Sequence, residues 1–173
     1  FLSDLAITIV IFAELFSSMK NIAVIGSGTM GNGIAHTFAQ YGYSVTLIDI
    51  SEEFLKKGLA TIEKNMNRQV EKGTLTAEAK QESLSRIKTS TLLKEGIKDA
   101  ELVVEAATEN IELKLNIFRE ASAHAKPDAI LASNTSYISI TRIASVTNRP
   151  DKVIGMHFMN PVALMKLVEV MRG

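Results

Sequence analysis

Apolar runs of four or five residues alternate with longer segments of helical periodicity from residue 20 to the end of the chain. Runs such as NIAVI, LVVEA and AILA have the continuous apolar character of strands that are buried on both faces. In the intervening segments apolar residues recur at spacings of three and four, as in 29–41, which Gly42 ends. Strands that alternate with helices predict an α/β fold, in which helices cover both faces of a doubly wound, mostly parallel sheet.

The pattern predicts strands at 21–25, 45–49, 87–89, 102–106, 129–132, 153–158 and 166–171. It predicts helices at 29–41, 51–71, 76–86, 110–125 and 139–146. Ser51 and Thr76 have the residue types that cap helix N-termini, and each opens one of two consecutive helices. These two helices are longer than a crossover between parallel strands requires. We therefore expect them to form an inserted helical hairpin.

A glycine-rich turn joins the first predicted strand to the first predicted helix. It is a GxGxxG sequence that consists of Gly26, Ser27, Gly28, Thr29, Met30 and Gly31. At such a junction the first glycine permits a tight turn, the second lets the backbone approach a pyrophosphate, and the third lets the helix lie close to the strand. The helix N-terminus then offers free N–H groups to phosphates. The motif in this position predicts a Rossmann-type dinucleotide site, and a purely structural glycine turn is the alternative.

Asp49 ends the second predicted strand, 21 residues after Gly28. A carboxylate at this place accepts hydrogen bonds from a ribose diol and repels a 2′-phosphate. The sequence therefore predicts that the cofactor is NAD and not NADP. A solvent-facing aspartate without a ligand is the alternative.

His157 ends an apolar predicted strand, at the sheet edge where doubly wound folds bind their ligands. If the strands at 153–158 and 166–171 pair as a hairpin centred on Ala163, His157 lies directly opposite Glu169. Glu169 is the only charged residue in LVEVM, and a carboxylate in an apolar strand needs a partner. A buried carboxylate that orients an imidazole is the arrangement of a general base. An exposed edge glutamate unrelated to the histidine is the alternative.

Four polar residues, Ser133, Asn134, Thr135 and Ser136, follow the strand predicted at 129–132. A hydroxyl or an amide at the carboxyl end of a strand can bind a substrate oxygen. The same residues also suit a polar turn that caps the next helix. Composition does not separate these two interpretations.

The composition limits the kinds of site and partner. The 19 Lys and Arg balance the 19 Asp and Glu, so the chain lacks the basic excess of a nucleic-acid-binding protein. Cysteine is absent, which excludes disulfides and thiolate metal sites, and we expect no metal. The apolar segment 1–18 is too short for a membrane span and lacks the basic start of a signal peptide. We therefore expect a cytoplasmic protein with no membrane or nucleic-acid partner.

Met19 directly precedes the first convincing strand. We interpret Met19 as the natural start, residues 1–18 as an upstream extension outside the fold, and residues 19–173 as one dinucleotide-binding domain.

The motifs VIGSGTMGNGIA, VVEAATEN, ASNTS and GMHFMNPVALMKLVEV follow one another in this order. They resemble the L-3-hydroxyacyl-CoA dehydrogenases, and in particular the bacterial 3-hydroxybutyryl-CoA dehydrogenases, over the whole of 19–173. HFMNP followed by MKLVEV is the most specific part, although Met159 stands where the family has a second aromatic residue. The resemblance implies NAD-dependent, reversible oxidation of a (3S)-3-hydroxyacyl-CoA to the 3-oxoacyl-CoA, in fatty acid and butanoate metabolism.

The resemblance also implies roles for individual residues. It makes His157 the catalytic base and Glu169 its partner, and it places two polar residues at the reacting oxygen or the nicotinamide, Ser136 and Asn160. Besides Asp49 and the glycine-rich turn, it implies cofactor contacts at Ala106, Glu109 and Lys114. In the inserted helices it implies coenzyme A contacts at Asn65 and Lys72.

In the family that these motifs resemble, a C-terminal helical domain completes the acyl-CoA site and carries most of the dimer contact. The 173 residues do not include it. We therefore expect this chain alone to bind NAD with low activity, and the parent protein to be a homo-oligomer with an acyl-CoA substrate. The alternatives are an NAD-dependent dehydrogenase of a free 3-hydroxy acid, a non-catalytic NAD-binding fragment, and a part of a larger hydratase–dehydrogenase fusion.

Overall fold

The computed structural model describes residues 19–165 and 167–173, and the prediction for residues 1–18 lies outside these ranges. Within them, the strands are β1 (Asn21–Ile25), β2 (Ser44–Ile48), β3 (Ile87–Ser90), β4 (Leu102–Glu105), β5 (Ile130–Ser133), β6 (Val153–Phe158) and β7 (Val168–Arg172). The helices are α1 (Thr29–Gln40), α2 (Glu52–Glu71), α3 (Ala77–Ser85), α4 (Leu93–Ile97), α5 (Ile111–His124) and α6 (Ile140–Ala144). A short 3₁₀ turn, Pro150–Lys152, precedes β6.

The strands form one sheet with the order β3-β2-β1-β4-β5-β6-β7. All neighbouring strands are parallel except β6 and β7, which are antiparallel. The chain runs outwards from the central β1, first towards β3 and then, from β4, towards β7. The strand order therefore reverses between β1 and β4, where folds of this kind have their ligand crevice. The predicted doubly wound, mostly parallel sheet is confirmed.

The observed elements agree with the predicted ones to within two residues at each described end. The first residue of the last predicted strand, Lys166, lies outside the described residues. The prediction missed α4, because five residues make less than two turns and show little periodicity. Gly96 lets this short helix lie against β2, since a Cβ there would come within 2.5 Å of the Ile48 side chain.

Apolar side chains are buried on both faces of the sheet. On one face α1 and α2 contribute Ile34, Phe38 and Ile62 to the core. On the other face α4, α5 and α6 contribute Ile97, Phe118 and Ile143. Strands with two buried faces explain why their sequences are continuous apolar runs. In the described part of the chain, no helix has both the length and the hydropathy of a membrane span.

The helices α2 and α3 form the pair that the sequence predicts between residues 51 and 86. Both predicted N-caps are confirmed. The hydroxyl of Ser51 accepts a hydrogen bond from the N–H of Phe54 at 3.2 Å, and that of Thr76 accepts one from the N–H of Ala79 at 3.1 Å. One face of α2 is buried against the core through Leu55, Gly58, Ile62 and Met66. The long second helix therefore covers the sheet and also brings its polar residues near the turn after β1.

Glu101 fixes the start of the central strand. Its carboxylate accepts hydrogen bonds from the N–H of Lys20 at 2.7 Å and from the N–H of Asn21 at 3.0 Å. These two backbone hydrogen bonds lower the pKa of Glu101 below its ordinary value. The ionised form is therefore favoured more in the folded chain than in the unfolded chain.

We predict that Glu101→Gln lowers the free energy of unfolding at pH 7 by less than about 1 kcal/mol, because water screens this largely exposed carboxylate. A lowered pKa contributes stability above the unfolded-state value of about 4.3, and this stability is lost as the pH falls through the folded-state pKa. The difference between the two proteins should therefore disappear at low pH in urea unfolding. Glu120→Gln, a surface change beside His124, is the control. A difference that is constant with pH would contradict this explanation.

Candidate cofactor and catalytic site

The glycine-rich turn after β1 brings α1 unusually close to the sheet. Gly26 has a positive φ of 96°, and a Cβ on it would lie 2.7 Å from the carbonyl oxygen of Ala106. A Cβ on Gly31 would lie only 1.7 Å from the carbonyl oxygen of Gly26. No other residue type fits at Gly31 without moving the helix away from the strand.

The N-terminus of α1 is open and has no side-chain cap. Gly28 is its N-cap residue, and the first turn contains no acidic residue. A Cβ on Gly28 would meet no atom of the described residues within 4 Å, so these residues leave the space in front of the helix free. The first N–H groups of a helix have no partner within it and carry partial positive charge. This end of α1 can therefore bind an anion such as a pyrophosphate.

Asp49 lies immediately after β2, beside the glycine-rich turn. Its Oδ2 accepts hydrogen bonds from the N–H and the hydroxyl of Ser27, both at 2.7 Å. Its Oδ1 accepts one from the N–H of Ile50, also at 2.7 Å. These contacts fix a negative charge at the carboxyl end of β2, where the sequence predicts a ribose-binding carboxylate.

A cleft of about 690 Å³, here called the first cleft, extends from the glycine-rich turn over the carboxyl ends of β1, β2 and β4. Its size is in the range of known small-molecule sites. Its lining includes the glycine-rich turn, Asp49 with Ile50 and Phe54, the segment 106–108 that includes Ala106, and Leu113 and Ile117 of α5. An apolar cleft with an open helix N-terminus and one fixed carboxylate fits a dinucleotide.

His157 and Glu169 are paired across β6 and β7, in the predicted register. Nδ1 of His157 lies 3.0 Å from Oε2 of Glu169, and Nε2 lies 3.1 Å from the hydroxyl oxygen of Ser136. A carboxylate only accepts hydrogen bonds, so Nδ1 carries the proton in this pair and Nε2 of the neutral ring is an acceptor. The hydroxyl of Ser136 then donates to Nε2.

The expectation that Glu169 is buried is wrong. Its side chain is 52% exposed, whereas that of His157 is 21% exposed. β7 lies at the end of the sheet order, and all of its residues are exposed. Its apolar sequence indicated a covered strand, but β7 pairs with β6 on one side only, and the contacts that it makes with α6 leave its residues exposed.

The polar segment 133–136 at the carboxyl end of β5 forms a hydrogen-bonded turn, and the binding of a substrate oxygen by it stays a prediction. The hydroxyl of Thr135 accepts a hydrogen bond from the N–H of Ile138 at 3.0 Å, as a turn-forming residue does. The amide oxygen of Asn134 accepts one from the N–H of Phe158 at 2.9 Å, which ties the segment to β6. Ser136 instead points its hydroxyl at His157.

A buried ion cluster lies between β4, β5 and α5. Lys114 is 1% exposed, and its Nζ lies 2.7 Å from Oε1 of Glu105 and 3.2 Å from Oε2 of Glu109. Partial burial raises the pKa of Glu109, but a hydrogen bond from Thr135, the charge of Lys114 and the N–H of Ser136 outweigh it and hold that pKa below its ordinary value. The sequence analysis missed Glu105, and the signal for it was a lone charge at the end of the apolar run LVVEA.

A smaller cleft of about 340 Å³, here called the second cleft, lies on the α2 side of the glycine-rich turn. Asn65 and Thr61 of α2 line one wall, and Asn160 with the residues after it lines the other. Lys72 does not line it, because this residue lies at the C-terminal end of α2. Ser27, Gly28, Thr29 and Lys57 line both clefts, so the two clefts meet at the turn.

His36 closes the inner end of the second cleft and is buried. Burial lowers its pKa, although hydrogen bonds with Gln69 and Gln40 act in the opposite direction. Nε2 of His36 lies 3.2 Å from Oε1 of Gln69 on α2. The lowered pKa keeps this histidine neutral.

The structure thus brings the predicted residues, apart from Lys72, together in four groups, one of which is Asn65 and Asn160 in the second cleft. The first cleft is lined by Gly26, Gly28, Thr29, Met30, Asp49 and Ala106, while Gly31 packs behind it. Ser136, His157 and Glu169 form one hydrogen-bonded row. Glu109 joins that row to Lys114. Acceptor atoms of the protein surround Nζ of Lys114, so a direct contact of Lys114 with the cofactor stays a prediction.

Known proteins are similar to this chain in sequence. The family model described as 3-hydroxyacyl-CoA dehydrogenase, NAD binding domain, matches residues 21–173. The chain is 53% identical over 155 residues to a 3-hydroxybutyryl-CoA dehydrogenase of Bradyrhizobium diazoefficiens. The matched residues cover 90% of this chain and 53% of that protein. It is 49% identical over 152 residues to a 3-hydroxybutyryl-CoA dehydrogenase of Clostridioides difficile. That match covers 88% of this chain and 54% of the relative.

Solved structures agree with the sequence relatives. The crystal structure of (S)-3-hydroxybutyryl-CoA dehydrogenase from Ralstonia eutropha has a TM-score of 0.88 and 46% identity, over 90% of this chain and 55% of that chain. A 3-hydroxybutyryl-CoA dehydrogenase from Escherichia coli has a TM-score of 0.86 and 43% identity, over 88% of this chain and 32% of that chain. The chain spans about half the length of the curated relatives described above.

Substitutions at two glycines of the turn distinguish a loss of NAD binding from a loss of stability. We predict that Gly31→Ala destabilises the chain by about 3 kcal/mol, because its Cβ overlaps the carbonyl of Gly26. Gly28→Ala should fold normally, since its Cβ meets no atom and its φ of −64° suits alanine. It should nevertheless weaken NAD binding by about tenfold, because the methyl group occupies the place in front of α1. Thermal unfolding and NADH fluorescence titration measure the two effects. Normal NADH affinity in Gly28→Ala would contradict the phosphate site.

We predict that the chain binds NAD better than NADP, and that Asp49→Ser narrows the difference in affinity by about tenfold. The carboxylate repels a 2′-phosphate, and serine removes that charge. Titration of the chain with each reduced cofactor measures the two affinities. Glu71→Ser, an exposed change at the C-terminal end of α2, is the control for the loss of one negative charge. Equal affinities in the unaltered chain would show that Asp49 does not select the cofactor.

Proposed function

The chain belongs to the 3-hydroxyacyl-CoA dehydrogenase family and contains its NAD-binding domain, and on this basis we propose that the protein oxidises (3S)-3-hydroxyacyl-CoA substrates to 3-oxoacyl-CoA products, reversibly. A substrate such as 3-hydroxybutyryl-CoA is supported by the names of its relatives. The observation that carries the proposal is the row of Ser136, His157 and Glu169 at the same sheet edge as the two clefts.

His157 is the proposed base. Its Nε2 is an acceptor in the neutral ring and accepts a hydrogen bond from the hydroxyl of Ser136 in the chain as it stands. When that hydroxyl turns to the substrate oxygen, Nε2 can take the proton of the substrate hydroxyl at C3. NAD, when bound, supplies the hydride acceptor that an alcohol oxidation requires. In the reverse direction the protonated ring returns the proton to the 3-oxo oxygen.

Glu169 orients the base and balances its charge. Its hydrogen bond with Nδ1 at 3.0 Å fixes the tautomer that leaves Nε2 as an acceptor. When His157 takes up a proton, the adjacent carboxylate stabilises the imidazolium. Because Glu169 is half exposed, this stabilisation depends on what excludes water from β7 in the working protein.

Ser136 and Asn160 are the proposed partners of the reacting oxygen or of the nicotinamide. Ser136 contacts the imidazole that takes the proton, so a substrate hydroxyl near Nε2 lies within its reach. Asn160 lies in the wall of the second cleft, directly before Pro161. Its exposed amide offers both a donor and an acceptor.

The second cleft is the proposed entrance for the acyl-CoA. It meets the first cleft at Gly28, so that substrate and cofactor would approach each other across the glycine-rich turn. Asn65 lines this cleft, and Lys72 lies at the outer end of the same helix. A coenzyme A that follows α2 would therefore meet Asn65 before Lys72. We propose that a further helical domain supplies the opposite wall and the contacts between subunits, as the resemblance of the sequence implies.

The metabolic context is proposed from relatives. The alpha subunit of the fatty acid oxidation complex of Pseudomonas entomophila is 43% identical to this chain over 160 residues. A role in fatty acid or butanoate metabolism agrees with this relative and with the 3-hydroxybutyryl-CoA dehydrogenases. The cytoplasmic location expected from the sequence stays a prediction.

In a full-length version of the protein, we predict that His157→Ala lowers kcat for 3-hydroxybutyryl-CoA oxidation by about 10²–10⁴-fold, the usual effect of losing a general base. Glu169→Gln should also lower kcat, because the amide no longer balances the imidazolium. Both variants should bind NADH with unchanged affinity, which fluorescence titration measures. His124→Ala, a surface histidine paired with Glu120, is the matched control and should keep full activity. Turnover near the original rate without the His157 imidazole would exclude it as the base.

A further inference from the structure

Glu105, the last residue of β4, is a buried carboxylate for which the proposed chemistry has no direct use. Its side chain is 1% exposed, and both of its oxygens accept hydrogen bonds. Oε1 accepts from Nζ of Lys114 at 2.7 Å and from the N–H of Ala107 at 2.8 Å. Oε2 accepts from the hydroxyl of Ser133 at 2.7 Å. Glu105 therefore ties together the ends of β4 and β5 and the first turn of α5.

The charges of this cluster make its geometry depend on Glu105. Two carboxylates, Glu105 and Glu109, share the single ammonium group of Lys114. Lys114 is fully buried and also donates to the carbonyl oxygen of Ala107 at 3.3 Å. Removal of one partner from a buried ion pair leaves the other charge uncompensated, so the remaining groups rearrange. A neutral residue at position 105 would leave Lys114 with Glu109 alone.

The segment 133–136 is held at its start by Ser133, which is bonded to Glu105, and at its end by Glu109, which shares Lys114 with Glu105. At its start, the Ser133 hydroxyl donates to Glu105 and accepts from the N–H of Thr135 at 3.3 Å. At its end, Oε1 of Glu109 accepts from the N–H of Ser136 at 3.2 Å and from the hydroxyl of Thr135. The backbone of Ser136 is thus fixed by an exposed hydrogen bond to Glu109, whose carboxylate is itself held by the buried ammonium group of Lys114.

We propose that Glu105 is a positioning residue that fixes the hydroxyl of Ser136 against Nε2 of His157. It acts directly through Ser133 and indirectly through Lys114 and Glu109. The contact between Ser136 and His157 at 3.1 Å is present in the chain whatever reaction the protein catalyses. Only its use in catalysis rests on the proposed function. A displacement of Ser136 changes the hydrogen bond that its hydroxyl donates to His157.

The test is the ¹⁵N chemical shift of Nε2 in His157, measured by NMR on the 173-residue chain at one pH at which the ring is neutral. The chain has three histidines, so His157→Asn identifies the signal. Ser136→Ala removes the hydrogen bond to Nε2 and defines the full change in shift. We expect Glu105→Gln to move the Nε2 signal in the same direction, by at least half of that change. In the double variant the two effects should not add, since both act through one hydrogen bond.

Two further variants separate positioning from folding. Leu102 is fully buried at the other end of β4 from Glu105. Leu102→Val therefore lowers stability without changing the hydrogen bonds of Glu105. We expect its Nε2 signal to stay unchanged. Ser133→Ala removes the direct contact with Glu105 together with the hydrogen bond from the N–H of Thr135, and it serves if the glutamine variant does not fold. It should shift the signal in the same direction. An unchanged Nε2 signal in the folded Glu105→Gln and Ser133→Ala chains, or effects that add to that of Ser136→Ala, would overturn the proposal.

A kinetic measurement on the active protein extends the test. Glu105→Gln should lower kcat by about tenfold while KM for NAD changes by less than about twofold, because a misplaced hydroxyl affects the reaction and not cofactor binding. A change confined to KM would contradict the proposal. If the unaltered protein does not oxidise 3-hydroxyacyl-CoA, the proposed function fails, but the NMR result still decides whether Glu105 positions Ser136.

Discussion

The arrangement of the site depends on the close approach of α1 to the end of β1. The carbonyl oxygen of Gly26 occupies the space that a side chain at residue 31 would need, so the helix starts directly at the carboxyl edge of the sheet. Because it starts there, its unpaired N–H groups face the crevice where the strand order reverses. The two clefts then share the turn between β1 and α1 as a common wall.

The remaining polar groups of the site lie along the same edge, each at the end of a different strand. Asp49 follows β2, Glu105 ends β4, Ser136 lies three residues beyond β5, and His157 lies near the end of β6. Side chains at neighbouring strand ends are close in space even though they are far apart in sequence. A parallel sheet therefore collects a fixed negative charge, a buried ion cluster and an oriented imidazole without any loop that reaches across the molecule. The hydrogen bonds between the strands also hold these strand ends at fixed distances from one another.

Features with a periodic or local signal could be predicted from the sequence. The strand lengths, the glycine-rich turn and both N-caps of the inserted helices depend on neighbouring residues, and the register of His157 with Glu169 follows from the midpoint of one hairpin. Features that depend on the environment could not be predicted. The exposure of β7 depends on what packs over it, and the burial of Glu105 and Lys114 depends on three elements that meet only in the folded chain. Helix α4 was too short to show a period.

The position of β7 at the end of the sheet has a consequence for the behaviour of the chain in concentrated solution. Within the described residues, no strand pairs with its outer side, so a row of backbone N–H and C=O groups is open there. Such an edge is a template for strand pairing between molecules, and apolar residues such as Val168 and Val170 increase the tendency. Charged side chains on an edge strand oppose this pairing, and β7 carries two, Glu169 and Arg172. The carboxylate that orients the histidine thus also helps to keep separate molecules from joining through their sheets.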